Sequence, residues 1–206
     1  MSKILLVDDH AVARAGMRGL LTTEPGVAIV EAESGGQALE ICRRERPGLV
    51  ILDLNLGDAS GLEVLRRIVN LDNAIRVLVL SMHSEPIYAA RALQAGARGY
   101  VSKSAGADEF VAAVRAVLQG ERYIERDLAT HLAVSKFSEK DPLDELTTRE
   151  VDILRSLGEG RSYAEIAAGL GVSYKTIANT STRIKKKLGV DRTADLIRLS
   201  LEKRRQ

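Results

Sequence analysis

The sequence predicts two domains of different class: a doubly wound α/β domain built on a five-stranded parallel sheet, followed by a small all-α domain of four helices. Three observations carry this. First, five aliphatic runs, ILLV (4–7), VAIV (27–30), LVILDL (49–54), IRVLVL (75–80) and ARGYV (97–101), recur about every 20–25 residues. They are apolar on nearly every position, which suits strands covered by helices on both faces of a parallel sheet. Second, amphipathic stretches separate them. Phe110, Val111, Val114, Val117 and Leu118 form one helical stripe, and Leu62, Leu65, Ile68 and Val69 another. Five such βα units give a domain over 1–121. Third, strand patterns vanish beyond residue 144. Thr147 with Glu150 and Ser162 with Glu165 have capping-box spacing, Ser173 is a third cap, and Gly158, Gly160, Gly169, Gly171 and Gly189 sit where helices stop. These predict helices over 147–157, 162–168, 174–188 and 193–203 of a domain spanning 144–206. The segment 122–143 reads as a linker, helical over about 126–135, with hinge-like freedom near 138–142.

Composition bounds the function. A chain of 206 residues with 45% hydrophobic content can bury a core in each domain. No apolar run approaches the ~20 residues that span a bilayer, and the chain enters a strand-like run at once, without a charged-then-apolar leader. No membrane association is expected. Cys42 is the single cysteine, which excludes an internal disulfide and a cysteine metal cluster and fits a reducing cytoplasm; within an Ala/Leu/Ile helical pattern it reads as a buried structural thiol. Residues 1–122 carry 14 basic against 15 acidic side chains, net −1, whereas 173–206 carry 10 against 3, net +7. A basic block confined to one end points to a polyanionic partner there.

The strand ends carry the chemistry. In an open parallel sheet, ligands bind at the carboxyl ends of strands where strand order reverses. With the flavodoxin-like order 2-1-3-4-5, strands one and three are neighbours, so Asp8 and Asp9 meet Asp53 there. Three carboxylates with no suitable Cys or His favour Mg²⁺ or Mn²⁺ over zinc. Ser81 ends strand four and Lys103 follows strand five. A carboxylate beside a cation, a hydroxyl and an ammonium suits a nucleophile toward phosphorus, with metal and Lys neutralising phosphoryl oxygens.

These residues resemble a known family. DDH (8–10), DLNLGDASG (53–61), SMHS (81–84) and GYVSKSA (99–105) look like a response-regulator receiver domain, across essentially all of 1–120. The resemblance implies that Asp53 is the phosphoacceptor. It implies that Asp9, Asp53 and the backbone carbonyl of Asn55 ligate Mg²⁺, with Asp8 acting through coordinated water. Lys103 would contact the phosphoryl group, Ser81 would move to bond it, and Tyr100 is the aromatic that swings inward with it. Two departures stand out: Leu56-Gly57 replaces the family's common Met-Pro, which should loosen that loop, and Ser104 replaces the frequent proline after the lysine, which makes a cis bond there less assured.

The basic end reads as a helix-turn-helix over 162–187. In its second helix Ile177, Ile184 and Leu188 share one face, while Lys175, Asn179, Thr182 and Lys186 line another. Lys at the ends with Asn and Thr between suits a major groove, lysines on phosphates and Asn/Thr on base edges. The stretch LTTREVDILRSLGEG…AEIAAGLGVSYKTI…KKLGV is similar to the LuxR/FixJ-type four-helix DNA-binding domain, over about 144–206. That resemblance places Ala178, Asn179 and Thr182 toward bases and Lys175, Arg183, Lys185, Lys186 and Lys187 on phosphates, with Arg183 alternatively lying along the core. Ala178 and Thr180 replace a frequent Lys and His, which implies a different or weaker base preference. In the last helix, Leu196, Ile197, Leu199 and Leu201 either support dimerisation or close the small core.

Together the halves resemble NarL/FixJ-type two-component response regulators: a transcription regulator, not an enzyme, that binds double-stranded DNA, answers to a cognate sensor histidine kinase and forms a homodimer when active. The alternative within the same fold is a constitutive DNA-binding regulator whose receiver acts only in assembly or ligand binding. A Mg²⁺-dependent phosphotransferase or phosphatase is disfavoured: there is no general acid near Asp53 beyond a weak case for His10 or His83, and no substrate domain. His131, in the linker, has no role.

Overall fold

The computed structural model describes residues 2–22, 24, 26–57, 60–82, 86–135 and 142–203. The chain divides into two compact units, Met1–Phe137 and Ser138–Gln206.

The first unit alternates strand and helix: β1 (Ser2–Val7), α1 (Ala11–Leu21), β2 (Val27–Ala32), α2 (Gly35–Glu45), β3 (Leu49–Leu52), α3 (Gly61–Leu71), β4 (Arg76–Ser81), α4 (Pro86–Gln94), β5 (Gly99–Ser102), α5 (Ala107–Leu118), β6 (Tyr123–Ile124) and α6 (Arg126–Ser135). All strand pairs are parallel, in the order β2-β1-β3-β4-β5-β6. The near-continuous apolar runs are explained by burial on both faces. Ile4, Leu6, Leu49, Ile51, Leu78 and Val101 pack with Met17, Phe110, Val114 and Val117 of α1 and α5. The alternate positions Leu5, Val7, Val50, Leu52, Val77 and Val79 are equally sealed and belong to the opposite face.

The sheet has six strands rather than the five expected. Residues 123–124 fall in the expected linker, yet they pair with Gly99 and Tyr100. Tyr123 donates its N–H to the Arg98 carbonyl at 3.1 Å, and Glu125 its N–H to the Tyr100 carbonyl at 3.3 Å. The Glu125 carboxylate accepts the Ser102 N–H at 2.9 Å. Gly99 makes the approach possible, since a Cβ there would stand 2.9 Å from the Tyr123 carbonyl oxygen. Two residues are too few to carry a readable period, but they cover the edge of β5 that five strands would leave open. The helix expected at 126–135 is α6, and it too lies within the first unit, so only the later part of the expected 122–143 linker is left as connection. The hinge expected near 138–142 lies largely outside the described residues.

The second unit has a 3-10 turn (Pro142–Glu145) and helices α7 (Thr148–Gly158), α8 (Tyr163–Gly169), α9 (Tyr174–Leu188) and α10 (Thr193–Lys203), within a residue or so of the sequence reading. Both capping boxes form, Thr147 with Glu150 and Ser162 with Glu165. Ser173 accepts the Thr176 N–H at 3.1 Å, and α9 ends on Gly189 with φ of 66°, the left-handed turn that glycine adopts without penalty. Leu146, Val151, Ile153, Leu154, Leu157, Ile166, Ile177, Ile184 and Leu196 form the core. Leu196 therefore closes the core, whereas Leu201 is 45% exposed.

Candidate functional site

The acidic pocket forms at the end of the sheet where β1 and β3 lie side by side, with Val7 in register with Leu52. The next residues on each strand, Asp8 and Asp53, are buried, at 0% and 2% exposure. Backbone pairing carries the strands to this point: the Asp8 N–H bonds the Ala32 carbonyl at 3.2 Å and the Asp53 N–H the Val7 carbonyl at 2.9 Å. Gly61 allows α3 to begin directly against the strand end, because a Cβ there would lie 2.4 Å from the Asp53 carbonyl oxygen.

Lys103 bridges the two buried carboxylates and offsets one of their two charges. Its Nζ stands 2.6 Å from Asp8 Oδ2 and 2.6 Å from Asp53 Oδ2. It is delivered by β5, whose ladder continues into a bond from the Lys103 N–H to the Ser81 carbonyl at 2.8 Å. The other Asp53 oxygen, Oδ1, accepts the Asn55 N–H at 3.1 Å. Burial pushes the Asp53 carboxyl upward; the Lys103 ammonium and the Asn55 N–H oppose this but leave it raised. For Lys103 burial favours the neutral amine, yet the two carboxylates outweigh it and raise its pKa.

Asp9 sits at the pocket mouth with its side chain 31% exposed. One oxygen accepts the Gly57 N–H at 3.1 Å and the other lies 2.7 Å from His10 Nδ1. Asp8, Asp9, His10 and Asp53 each offer a ligand atom within 4.8 Å of the others. His10, which the sequence reading weighed only as a weak acid/base group, thus adds a further donor atom to the three carboxylates. Its adjacency in DDH was the available signal, and the backbone N–H of His10 bonding Asp8 Oδ1 at 2.8 Å turns the side chain back onto the pair.

Ser81, the last residue of β4, and Tyr100, the second residue of β5 and in register with Val79, are both at 0% exposure; the full burial of Tyr100 places its ring inside. The Gly57 position, expected to loosen its loop, donates a bond that a proline could not. Ser104 has its N–H on Ser102 Oγ at 3.1 Å and its hydroxyl 2.6 Å from the same oxygen, and the described peptide bonds are all trans. His83 lies outside the described residues.

In the second unit α9 divides as expected. Ile177, Thr180, Ser181 and Ile184 face inward; Lys175, Asn179, Thr182 and Lys186 are exposed and Ala178 is half-buried. Three of the expected phosphate ligands have other partners. Lys187 Nζ is 2.6 Å from Glu150 Oε2 and 3.0 Å from the Glu145 carbonyl, so it is tied to the start of α7 and does not project freely. Arg183 leans the same way, 3.5 Å from Glu150 Oε1 while 62% exposed. Lys185 bonds the Asp191 carbonyl at 3.2 Å. Lys175 and Lys186 make no ion pair among the described residues.

Comparison with known proteins agrees with both halves. The response regulator receiver domain family matches residues 4–115, and the family of bacterial regulatory proteins of luxR type matches 144–200. Response regulator UvrY of Escherichia coli (strain K12) is 34% identical over 205 residues, covering 98% of this chain and 94% of its own. Transcriptional activator protein ExaE of Pseudomonas putida is 41% identical over 204 residues, covering 97% and 95%. A LuxR-family two-component response regulator from Aurantimonas sp. SI85-9A1 superposes at a TM-score of 0.64 with 39% identity, covering 67% of this chain and 99% of that one. RcsB of Salmonella enterica serovar Typhimurium bound to promoter rprA with BeF3⁻ superposes at 0.66 over 97% of this chain; at 24% identity it bears on the fold alone. The chain belongs to the NarL/FixJ-type two-component response regulators, transcription regulators that join a receiver domain to a LuxR-type DNA-binding domain.

Proposed function

We propose that Asp53 accepts the phosphoryl group and that its phosphorylation controls DNA binding through α9. The observation that carries this is the triangle of Asp8, Asp53 and Lys103, with Lys103 Nζ 2.6 Å from both carboxylates. An Asp53 oxygen attacks the phosphorus of the donor, the bond to the donor's leaving group breaks, and an acyl phosphate is left on Asp53. Asn55 holds one carboxylate oxygen through its N–H, which orients the nucleophile. Lys103 already lies where negative charge accumulates on the transferred group.

The residues fit a divalent cation. Three carboxylates against one ammonium leave a net charge of −2 when His10 is neutral, and the donors are mainly oxygen, which suits Mg²⁺. Asp9, Asp53 and the Asn55 carbonyl would hold it, and Asp8 would act through water. Bound there, the metal supplies Lewis-acid stabilisation of phosphoryl oxygens. Ser81 and Tyr100 are the switch pair, on the neighbouring strands β4 and β5. The outer partners are a sensor histidine kinase as donor and double-stranded DNA as target, in a cytoplasmic setting. A two-fold dimer would bind half-sites about one helical turn, or a multiple of it, apart.

The test is intact-protein mass after incubation with Mg²⁺ and acetyl phosphate, beside Asp53→Asn. One phosphoryl mass gained by the wild type and not by the variant supports the reading, provided DNA affinity or oligomeric state then changes. A folded, metal-binding wild type that gains no mass overturns it in favour of constitutive DNA binding.

A further inference from the structure

Tyr174 is the first residue of α9 and is 60% exposed. The other four tyrosines are engaged or enclosed. Tyr88 and Tyr100 are buried at 1% and 0%, and the Tyr123 hydroxyl donates to Glu109 Oε1 at 3.3 Å. The Tyr163 hydroxyl lies 2.6 Å from Ser181 Oγ and 3.2 Å from Thr193 Oγ1. Among the described residues the Tyr174 hydroxyl has no hydrogen-bond partner.

Its ring is nonetheless held in place. It packs on the Tyr163 ring of α8, centroids 5.8 Å apart and planes tilted by 54°. Tyr163 is itself pinned to α9 and α10 through its hydroxyl. Tyr174 therefore presents a rigid aromatic with a free polar tip, at little entropic cost on binding. Along α9 it stands one turn before Ala178 and on the side of α8. In a helix-turn-helix the second helix enters the major groove at its N-terminal end while the first crosses the sugar-phosphate backbone. A side chain at the start of α9 that leans on α8 lies between those two contacts.

We propose that Tyr174 is a DNA-backbone anchor, its hydroxyl donating to a phosphate oxygen at the groove edge beside α8. It contributes position and affinity rather than base readout. The proposal rests on DNA binding through α9.

The test uses the full-length chain, a duplex selected from a random library by the wild type, and an unrelated duplex of equal length, titrated over a range of salt. Tyr174→Phe keeps the ring packing and deletes only the hydroxyl. It should weaken binding to both duplexes roughly tenfold, the scale of a lost hydrogen bond to a charged group, and leave the salt slope unchanged. Lys175→Ala serves as the control, reducing that slope by about one. Scanning single neutral methylphosphonates along the selected duplex should find one phosphate in each half-site whose neutralisation weakens the wild type but not Tyr174→Phe. Wild-type affinity in Tyr174→Phe, with Lys175→Ala impaired, overturns the anchor alone. A loss confined to the selected duplex overturns it in favour of base readout. If neither variant changes binding, the α9 interface itself is wrong.

Discussion

Glu150 ties the start of the DNA-binding domain to the end of its recognition helix, and removing it tests the ion-pair account of Lys187 directly. The side chain is 4% exposed. Its Oε2 accepts the Thr147 N–H at 2.7 Å and the Lys187 ammonium at 2.6 Å, while Oε1 faces Arg183 at 3.5 Å. Deleting one partner of a fully buried pair costs about 3–5 kcal/mol. Here Lys187 and Arg183 are 29% and 62% exposed and can recover water, so the ion-pair part is nearer 1–2 kcal/mol. The lost cap adds about 1 kcal/mol. Glu150→Ala should therefore cost about 2–3 kcal/mol. Glu150→Gln, which keeps an acceptor for Thr147 but not the charge, should cost about half of that.

The measurement is hydrogen exchange of α7 and α9 peptides in the full-length chain, which reads opening of this unit without assuming one transition for both domains. The alanine variant should lose about 30- to 150-fold in protection, at 1.36 kcal/mol per factor of ten. The pH dependence has a definite sign. Burial raises the Glu150 carboxyl, but Lys187 and the Thr147 N–H more than reverse it, so its folded pKa lies below the ordinary 4.5. The stabilisation is thus complete above about 4.5 and fades as pH falls through the lower folded value. Protection in the alanine variant within threefold of wild type, or an unchanged loss of stability with acid, would refute the reasoning.

Three further outcomes follow from single contacts. Burial pushes the Cys42 thiol up to about 11, so at pH 8 only about one thiol in a thousand is ionised, and iodoacetamide should alkylate it only after denaturation. Gly61→Ala would set a methyl 2.4 Å from the Asp53 carbonyl oxygen and 2.5 Å from Leu54 Cα; both are backbone and cannot yield, so a loss of about 3 kcal/mol in urea unfolding and slower phosphorylation of Asp53 are expected. Glu125→Ala removes the acceptor of the Ser102 N–H, worth about 1–2 kcal/mol; the Tyr123 and Ile124 amides should exchange about tenfold faster, with β1–β3 unaffected.

What the residues revealed in advance follows the length of the signal. The five main strands and the four helices of the second unit carry runs or caps that span several residues, so periodicity and capping spacing locate them. β6 is two residues long, and its partner is set by the Arg98 and Tyr100 carbonyls far upstream, which no local pattern encodes. Asp8, Asp53 and Lys103 were legible because strand ends in a parallel sheet converge by topology. Lys187 was not: helical spacing places it near the basic face, but the capping box that buries Glu150 beneath it is 37 residues away. Charge counts register both ions and miss that they cancel. The same limit hid the role of Gly57, whose N–H on Asp9 is visible only once two loops meet.

The end of β1 illustrates why two adjacent carboxylates there need not be equivalent. Alternation sends Asp8 inward, to 0% exposure, and Asp9 to the pocket mouth. The inward one is compensated internally, by Lys103 and by the His10 N–H. The outward one has only a partly exposed amide donor and a histidine. Lys103 thus bridges Asp8 and Asp53 through Oδ2 of each, on the enclosed side, while Asp9 lies at the side open to solvent. Without Lys103 the pocket would hold three carboxylates at a net −3, two of them desolvated, and their repulsion in a medium less polar than water would oppose closing the sheet end. With it the residual −2 equals the charge of one divalent cation. The lysine can therefore hold the folded pocket together before any metal or phosphoryl group arrives, and the same ammonium is free to follow charge onto the phosphoryl oxygens when Asp53 is modified. Lys103→Ala should on this account lower the stability of the unmodified domain in Mg²⁺-free buffer, and added Mg²⁺ should restore a larger share of that loss than it adds to the wild type. An equal Mg²⁺ increment in the two proteins would show that lysine and metal do not share the burden of neutralising the pocket.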